Sequence, residues 1–567
     1  MSKESYRVGA LILLALAAFG ISAGNQFAFD DLVRIVQYAD IRTVRGSLGS
    51  FWHALFPGNL YRPLPTVSYG LTYALFGLNP LPYHLCNIFL HCCNALFLFL
   101  LLSRARSMPS QAAFMIAALF AVHPLATETV ANVSGRPELM AGFFGLLLLL
   151  RCSKFVQQNR GELSWSEGSA LLVWTFLALL SKESALCLPL LSALIVCFCS
   201  SGNVRRRLWL ILLPQTLAIS IYLGLRLYAL HALASGSDLV QFVDNPLIAL
   251  TSMQRMLSAW ALLGRYATLA IFPFNLSADY SYAQLIPLAM LPNVQGLFGI
   301  TAASALLVTA LSGVRHRSAE ALFAGWFFLA FVVTSNLAFP IGTIFGERLA
   351  YLPSCGTIGL LVLGLGRLQN RTIRGVLFGT LLTGFIWASN WRSLDWYDSD
   401  TLHTAQSKIS PQSAKTLVNY GVVLRNGGDL DEADLKFRMA LAVYPEFPDA
   451  AYNLGINYLS KGLESGARYW FKRALKLNDQ FAPALDALGR MYLRAGDFQK
   501  ASGKFQKILD FDPRNFDAGL GMLAVYLGQN NLAEAKLQAE LLRQRDPSNP
   551  ELQALQQKLN ESNLADG

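Results

Sequence analysis

Along the first 390 or so positions, apolar residues fall in blocks separated by short polar connections; from about Leu417 they are spaced as on amphipathic helices instead. The blocks cover about 8–24, 84–102, 111–124, 138–151, 168–181, 184–200, 208–228, 296–314, 319–339, 354–366 and 375–391. A bilayer core takes about 20 apolar residues per helix, and a backbone inside it must satisfy its own hydrogen bonds, so the pattern predicts about eleven transmembrane helices. The shorter run from Leu64 to Phe76 predicts a helix lying at the interface. The first block lacks a small-residue cleavage pattern and is read as a retained span.

Basic residues cluster in alternate connections: Arg104 and Arg106; Arg151, Lys154 and Arg160; Arg205, Arg206 and Arg207; Arg315 and Arg317; Arg367, Arg371 and Arg374. Lys and Arg concentrate on the cytoplasmic side, which places these loops and the N-terminus there. This distribution accounts for the net charge of +10 without nucleic acid as a partner. Leu247–Phe274 is apolar but carries Arg255 and Arg265. A single crossing there would invert every later loop, so it is read as re-entrant or surface-lying, which leaves the C-terminus outside.

In the C-terminal part Gly421, Gly455 and Gly489 recur every 34 residues, as do Ala433, Ala467, Ala501 and Ala535. Tyr458, Tyr492 and Tyr526 keep the same period, as do Pro445, Pro513 and Pro547, with Asp479 in the missing slot. Four registers agreeing at 34 residues are the tetratricopeptide (TPR) signature, and about four repeats make a solenoid with a concave face suited to a peptide. The expected organisation is all-α: a polytopic membrane domain over 1–392, a linker over 393–411 with Trp391 and Trp396 at the interface, and a TPR domain over 412–567 capped by the tail after Pro550.

The candidate chemistry lies on the face opposite the basic loops. Asp30 and Asp31 follow the first block, and adjacent residues point apart, so one can face a site while the other does not. His123, Glu128, Arg136, Glu138, Lys182, Glu183, Glu347 and Arg348 fall on the same side, as does Arg62 at the start of the interfacial helix. Ionisable groups at membrane depth are functional candidates by default. For each alone the competing role is a helix-end anchor or a local ion pair. Guanidinium groups such as Arg136 and Arg348 suit a phosphate bidentately. His84, Asn87 and His91 share one helical face and suit interhelical hydrogen bonds better. No Walker loop, GxSxG or HExxH occurs, and the eight cysteines, all between Cys86 and Cys355, match no metal or CxxC spacing.

The motifs Tyr61-Arg62-Pro63-Leu64, Tyr83-His84-Leu85-Cys86-Asn87 through His91, His123-Pro124 with Thr127-Glu128, Gly135-Arg136, Ser181-Lys182-Glu183 and Glu347-Arg348 with Tyr351-Leu352-Pro353 resemble, as a set, the transmembrane and TPR-containing O-mannosyltransferases and their bacterial relatives. The resemblance covers nearly the whole chain, in the order membrane part then TPRs. It implies the GT-C glycosyltransferase fold, a polyprenyl-phosphate sugar as donor and a catalytic acidic pair in the first outer loop. Asp30-Asp31 matches that pair, with Asp30 as the base and Asp31 and Glu128 positioning it or the acceptor. Arg136 and Arg348, with Lys182, Arg62 and His123, would bind the donor phosphate or substrate.

The expected reaction is inverting transfer of mannose or another hexose to a hydroxyl of a protein acceptor held by the TPR groove. No cofactor is required; two carboxylates leave room for a divalent metal that nothing in the sequence demands. Short loops and arginine-rich turns point to a bacterial inner membrane and an undecaprenyl-linked donor; in a eukaryote it would be the ER membrane, with luminal TPRs. The rival readings are a non-catalytic TPR scaffold for envelope assembly and a glycosyltransferase acting on a glycan or lipid. A reporter active only outside the cytoplasm is expected to work when fused after Gly567 or within 125–134, and to stay silent within 152–160. A silent C-terminal fusion would mean that Leu247–Phe274 crosses once and that the TPRs are cytoplasmic.

Overall fold

The computed structural model describes residues 3–53, 60–104, 108–158, 162–200, 203–230 and 240–565, and no β-strand occurs among them. The chain divides into two compact units, one formed by 1–37 and 50–409, the other by 38–49 and 410–567.

The first unit contains α1 (Lys3–Phe19), then, beyond α2 (Val44–Gly49) of the second unit, α3 (Pro63–Phe76), α4 (Pro80–Ser103), α5 (Ser110–Val122), α6 (Thr127–Ala131), α7 (Arg136–Gln157) and α8 (Trp165–Ser181). It continues with α9 (Leu188–Cys199), α10 (Val204–Leu230), α11 (Ser252–Leu269), α12 (Val294–Gly313), α13 (Ala319–Phe331), α14 (Ser354–Gly366), α15 (Arg371–Asp395) and α16 (Ser399–Ile409). Six helices among the described residues are long and apolar enough to cross a membrane, in α1, α4, α7, α10, α12 and α15, and α5 with the residues through Ala131 forms a seventh candidate bent by 49°. The helices at 165–181, 183–199, 319–331 and 354–366 are apolar but shorter. This is a helical membrane protein.

Several local outcomes differ from the periodicity. The block over 319–339 is helical only to Phe331, after which the chain turns. Leu247–Phe274 folds around the 18-residue helix α11, which lies directly on α12. The two backbones approach so closely at Gly264 that an added Cβ would stand 1.7 Å from the Gly299 carbonyl oxygen, a contact that only small residues permit. Within 393–411, α16 forms a helix of the first unit. Trp391 is 63% exposed, whereas Trp396, expected at an interface, is completely buried, packed with Ala28, Ala131 and Leu402.

The polar face of α4 supports the turn that borders the candidate site. Asn87 donates to the carbonyls of Val130, Asn132 and Val133 at 3.4, 3.0 and 3.3 Å, and Tyr69 on α3 donates to Val133 at 3.1 Å. His91 and Asn94 both reach the Tyr351 hydroxyl, at 2.8 and 3.1 Å. Buried polar groups inside a membrane protein need such partners, and here they pin the turn over 132–135 against α4.

The second unit is four helix pairs: α17 (Ala414–Asn426) with α18 (Leu430–Val443), α19 (Pro448–Ser460) with α20 (Glu464–Leu477), α21 (Ala482–Arg494) with α22 (Phe498–Phe511), and α23 (Phe516–Gly528) with α24 (Leu532–Arg543), closed by α25 (Pro550–Ala565). The 34-residue period has a direct steric cause. In the first three pairs a glycine of the first helix receives a phenylalanine ring from the second, Gly421 under Phe437, Gly455 under Phe471 and Gly489 under Phe505. An alanine methyl at Gly455 would lie 2.4 Å from the Phe471 ring.

Residues 38–49 belong to this unit although they precede it by more than 360 positions. Asp40, 5% exposed, accepts from Arg514 at 2.8 Å and from Arg545 at 3.1 Å. Arg42 faces Asp546 at 3.9 Å. Asp40→Ala in the full chain is expected to destabilise α22–α24 by about 1–3 kcal/mol, the usual cost of leaving a charged hydrogen-bonding group unpartnered. Native-state hydrogen exchange over residues 498–543 measures this, and unchanged exchange would show that the segment rests there without stabilising it.

Candidate functional site

The loop after α1 is stitched to the corner that follows α15. Asn25 donates to the carbonyls of Ser393 and Trp396, both at 3.0 Å, and the Gln26 amide donates to Tyr397 at 2.7 Å. The Phe29 amide donates to the Ser399 hydroxyl at 2.9 Å. Phe29 has φ +54°, a left-handed backbone that costs an L-residue about 1–2 kcal/mol.

The next two residues separate, as adjacent side chains must. Asp31 is fully buried; its carboxylate accepts from the amides of Ser134 at 2.6 Å, Ala28 at 3.3 Å and Val133 at 3.3 Å. It ties the first loop to the 132–135 turn. The Asp30 side chain is 32% exposed, with Arg34 one helical turn on at 3.8 Å and Arg348 also at 3.8 Å.

Arg348 is the hub. Its guanidinium donates to Glu128 Oε1 and its own amide to Glu128 Oε2, both at 2.9 Å, and Glu128 is 1% exposed. Asp30, Arg34, Glu128 and Arg348 thus form one cluster of two carboxylates and two guanidiniums, in which Asp30, Arg34 and Arg348 are each about a third exposed. Such a set offers an open carboxylate for a proton beside donors for an oxyanion.

The other sequence candidates are engaged in internal ties. Arg136, 1% exposed, donates to Asn87, Ser68 and the Tyr83 carbonyl at 3.1, 3.1 and 3.0 Å and lies 4.6 Å over the Tyr69 ring. Its donors are directed into protein, so it braces α3, α4 and α7 rather than facing the cluster. Lys182 pairs with Glu138. Arg62 holds Glu183 bidentately, through Nε at 3.0 Å and Nη2 at 2.5 Å. Burial alone would raise the Glu183 carboxyl, but the Arg62 guanidinium outweighs it and holds the group well below the ordinary carboxylate range. The Arg62 charge also bears on Arg34, so this pair borders the cluster. His123 accepts from the Leu125 amide through Nδ1 at 3.2 Å, so Nε2 carries the proton and donates to Ala270 at 2.9 Å.

Three neighbours escaped the sequence reading. Arg34 was accessible from its i+4 spacing to Asp30. Asp279, whose charge bears on Arg348 and His403, and His403 itself carry no motif and reach the site only through folding. Glu347, fully buried, accepts from the Tyr280 hydroxyl at 2.7 Å and the Ser277 amide at 2.5 Å; burial pushes its carboxyl up to about 7. Among the described residues no group of three or more His, Cys, Asp or Glu side chains is placed to hold a metal ion.

Asp31 gives a pH signature. Burial pushes its carboxyl up to about 7, with the Ser134, Ala28 and Val133 amides pulling it back only in part. The folded state therefore holds the proton where the unfolded chain releases it, near pH 4. The stability this contributes is complete below pH 4 and lost as pH rises through 7, by about 1.4 kcal/mol per pH unit. The melting temperature of Asp31→Asn relative to wild type is expected to rise between pH 5 and pH 8. A constant difference across that window would show that Asp31 does not titrate there.

Comparison with known proteins agrees with this architecture. Family models described as tetratricopeptide repeat match residues 411–483 and 492–559. The chain is 28% identical over 498 residues to Protein O-mannosyl-transferase TMTC1 of Homo sapiens, covering 79% of this chain and 56% of that protein. It is 26% identical over 513 residues to Protein O-mannosyl-transferase TMTC3 of Mus musculus, covering 84% and 55%. With Protein O-mannosyl-transferase Tmtc1 of Drosophila melanogaster the identity is 29% over 531 residues, covering 76% and 60%. The chain spans little more than half the length of these curated relatives. The chain is thus similar over about three quarters of its length or more to animal protein O-mannosyl-transferases, and its C-terminal part matches the tetratricopeptide repeat models.

Proposed function

We propose that this protein is a membrane glycosyltransferase that moves a sugar, mannose or another hexose, from a polyprenyl phosphate to a hydroxyl of a protein acceptor on the outer face of the membrane. The observation that carries the reading is the Asp30 carboxylate, one-third exposed between Arg34 and Arg348. The printed names of the relatives, protein O-mannosyl-transferases, support the reaction class. In the reaction Asp30 takes the proton of the acceptor hydroxyl as its oxygen bonds to the anomeric carbon. The bond from that carbon to the phosphate oxygen breaks, and its electron pair leaves with the phosphate. Attack opposite the leaving group inverts the anomeric centre.

Arg348 and Arg34 meet the growing phosphate charge, and Glu128 holds Arg348 in place. Asp31 fixes the loop and does not touch the reactants. Arg136 acts as a brace, which narrows the phosphate-binding set first read from the sequence. The TPR array presents the acceptor, and the membrane is a bacterial inner membrane with the array outside the cytoplasm.

Asp30→Asn keeps the side chain's size but removes the base, and a positioned general base contributes roughly 10²–10⁴-fold in rate. Turnover is expected to fall by about that factor with donor binding retained. Arg348→Ala should weaken donor binding by on the order of 1.5–3 kcal/mol, the worth of a charge-assisted hydrogen bond. Arg136→Ala should act on thermal stability instead. Binding and turnover of undecaprenyl-phosphate mannose, measured separately on the purified full chain, distinguish these outcomes. Full turnover in Asp30→Asn would remove Asp30 from the chemistry and turn attention to Glu128 or to the scaffold reading.

A further inference from the structure

We infer that Phe29 is a positioning residue whose left-handed backbone sets the aim of Asp30, and that the corner after α15 exists in part to hold that conformation. The inference rests on Asp30 as the base. Six described non-glycine residues have positive φ, and three are asparagines, which adopt it readily. Phe29 is an aromatic residue with no such tolerance, and it stands immediately before the exposed carboxylate. Strain of this kind persists only where the surroundings over-determine it.

The surroundings do so here on every side. The Phe29 amide is taken by Ser399, its carbonyl accepts from Leu32 at 3.2 Å, and its ring meets the rings of Trp396 at 6.2 Å and His403 at 6.1 Å. The reversal at Phe29 lets the Ala28 carbonyl accept from the Asp31 amide at 3.0 Å while the Asp31 carboxylate turns back to the Ala28 amide. Asp31 is thereby drawn inward onto Ser134, and Asp30 is left facing Arg34 and Arg348. With φ of ordinary sign at Phe29 the turn would be of another type, and the direction in which each aspartate leaves it would change.

The test uses Phe29→Gly, Phe29→Asn, Phe29→Ala and Phe29→Val in the full chain, with release of mannose from undecaprenyl-phosphate mannose as the turnover probe. Gly and Asn accept positive φ; Ala and Val resist it. All four variants lose the ring contacts that hold the left-handed backbone, and only Ala and Val then keep its steric penalty, so kcat is expected to be about tenfold lower in Ala and Val than in Gly and Asn, with donor KM unchanged in all four. Amide exchange at residues 30–32 should rank the variants the same way. A packing role alone predicts the opposite order, since Val keeps the most apolar volume. That order, or equal activity in all four, would overturn the inference. Asp30→Asn run in parallel separates the two claims. If it retains full turnover, the base assignment fails, and the exchange ranking alone then upholds or overturns Phe29 as the residue that orients the pair.

Discussion

Glu128 has 1% of its surface exposed, and a carboxylate at that depth is tolerable only when its oxygens are met by donors. Arg348 meets both, one through its guanidinium and one through its amide, across 220 residues of sequence. This tie brings the turn before α14 to the short helix α6, and so defines one wall of the candidate site. It also decides what Arg348 has left. With its closest contacts given to Glu128, it reaches Asp30 only at 3.8 Å, longer than a hydrogen bond. Asp30 therefore stands between two guanidiniums with about a third of its side chain exposed, the setting that the proposed proton transfer needs.

The same logic sorts the other candidate ionisable groups. Lys182 with Glu138 and Arg62 with Glu183 are paired charges. Arg136 has its charge met by carbonyl, amide and hydroxyl oxygens and an aromatic face. These residues hold helices together where water cannot. What distinguishes Arg34 and Arg348 is that their side chains stay about one-third exposed while facing a carboxylate that is equally exposed. The candidate chemistry is then concentrated in few residues on a frame of many satisfied ones.

The second unit is organised by a different constraint. Its first three helix pairs repeat a glycine-under-phenylalanine contact and so bury their apolar faces in the same way. This unit includes residues 38–49, from the segment between α1 and α3, whose Asp40 neutralises Arg514 and Arg545. Asp31 and Asp40, nine positions apart in one loop, are both buried anchors, the first in the membrane unit and the second in the array unit. Between them lies the single π-helical turn Leu32–Val36 that carries Arg34.

Much of this was legible in the chain. Apolar runs, basic loops and the 34-residue period are local or repeated signals, and each is written many times over in contiguous residues. The separation of Asp30 from Asp31 was legible too, because neighbouring side chains cannot share a direction. Which of the two turns inward was decided by the Ser134 and Val133 amides, themselves placed by Asn87 more than forty residues away. Arg136 and Arg348 look alike in sequence, as guanidiniums at the ends of apolar blocks. Only the folded chain shows that one is surrounded by protein acceptors and the other shares its donors with an exposed carboxylate. Trp396 and α13 mislead for the same reason, since apolar character marks a residue for burial without naming the surface it is buried against. Sequence alone determined which groups would be expensive to leave unpartnered; tertiary structure decided which of them found partners, because hydrogen bonds and ion pairs act over a few ångströms in space whatever their separation along the chain.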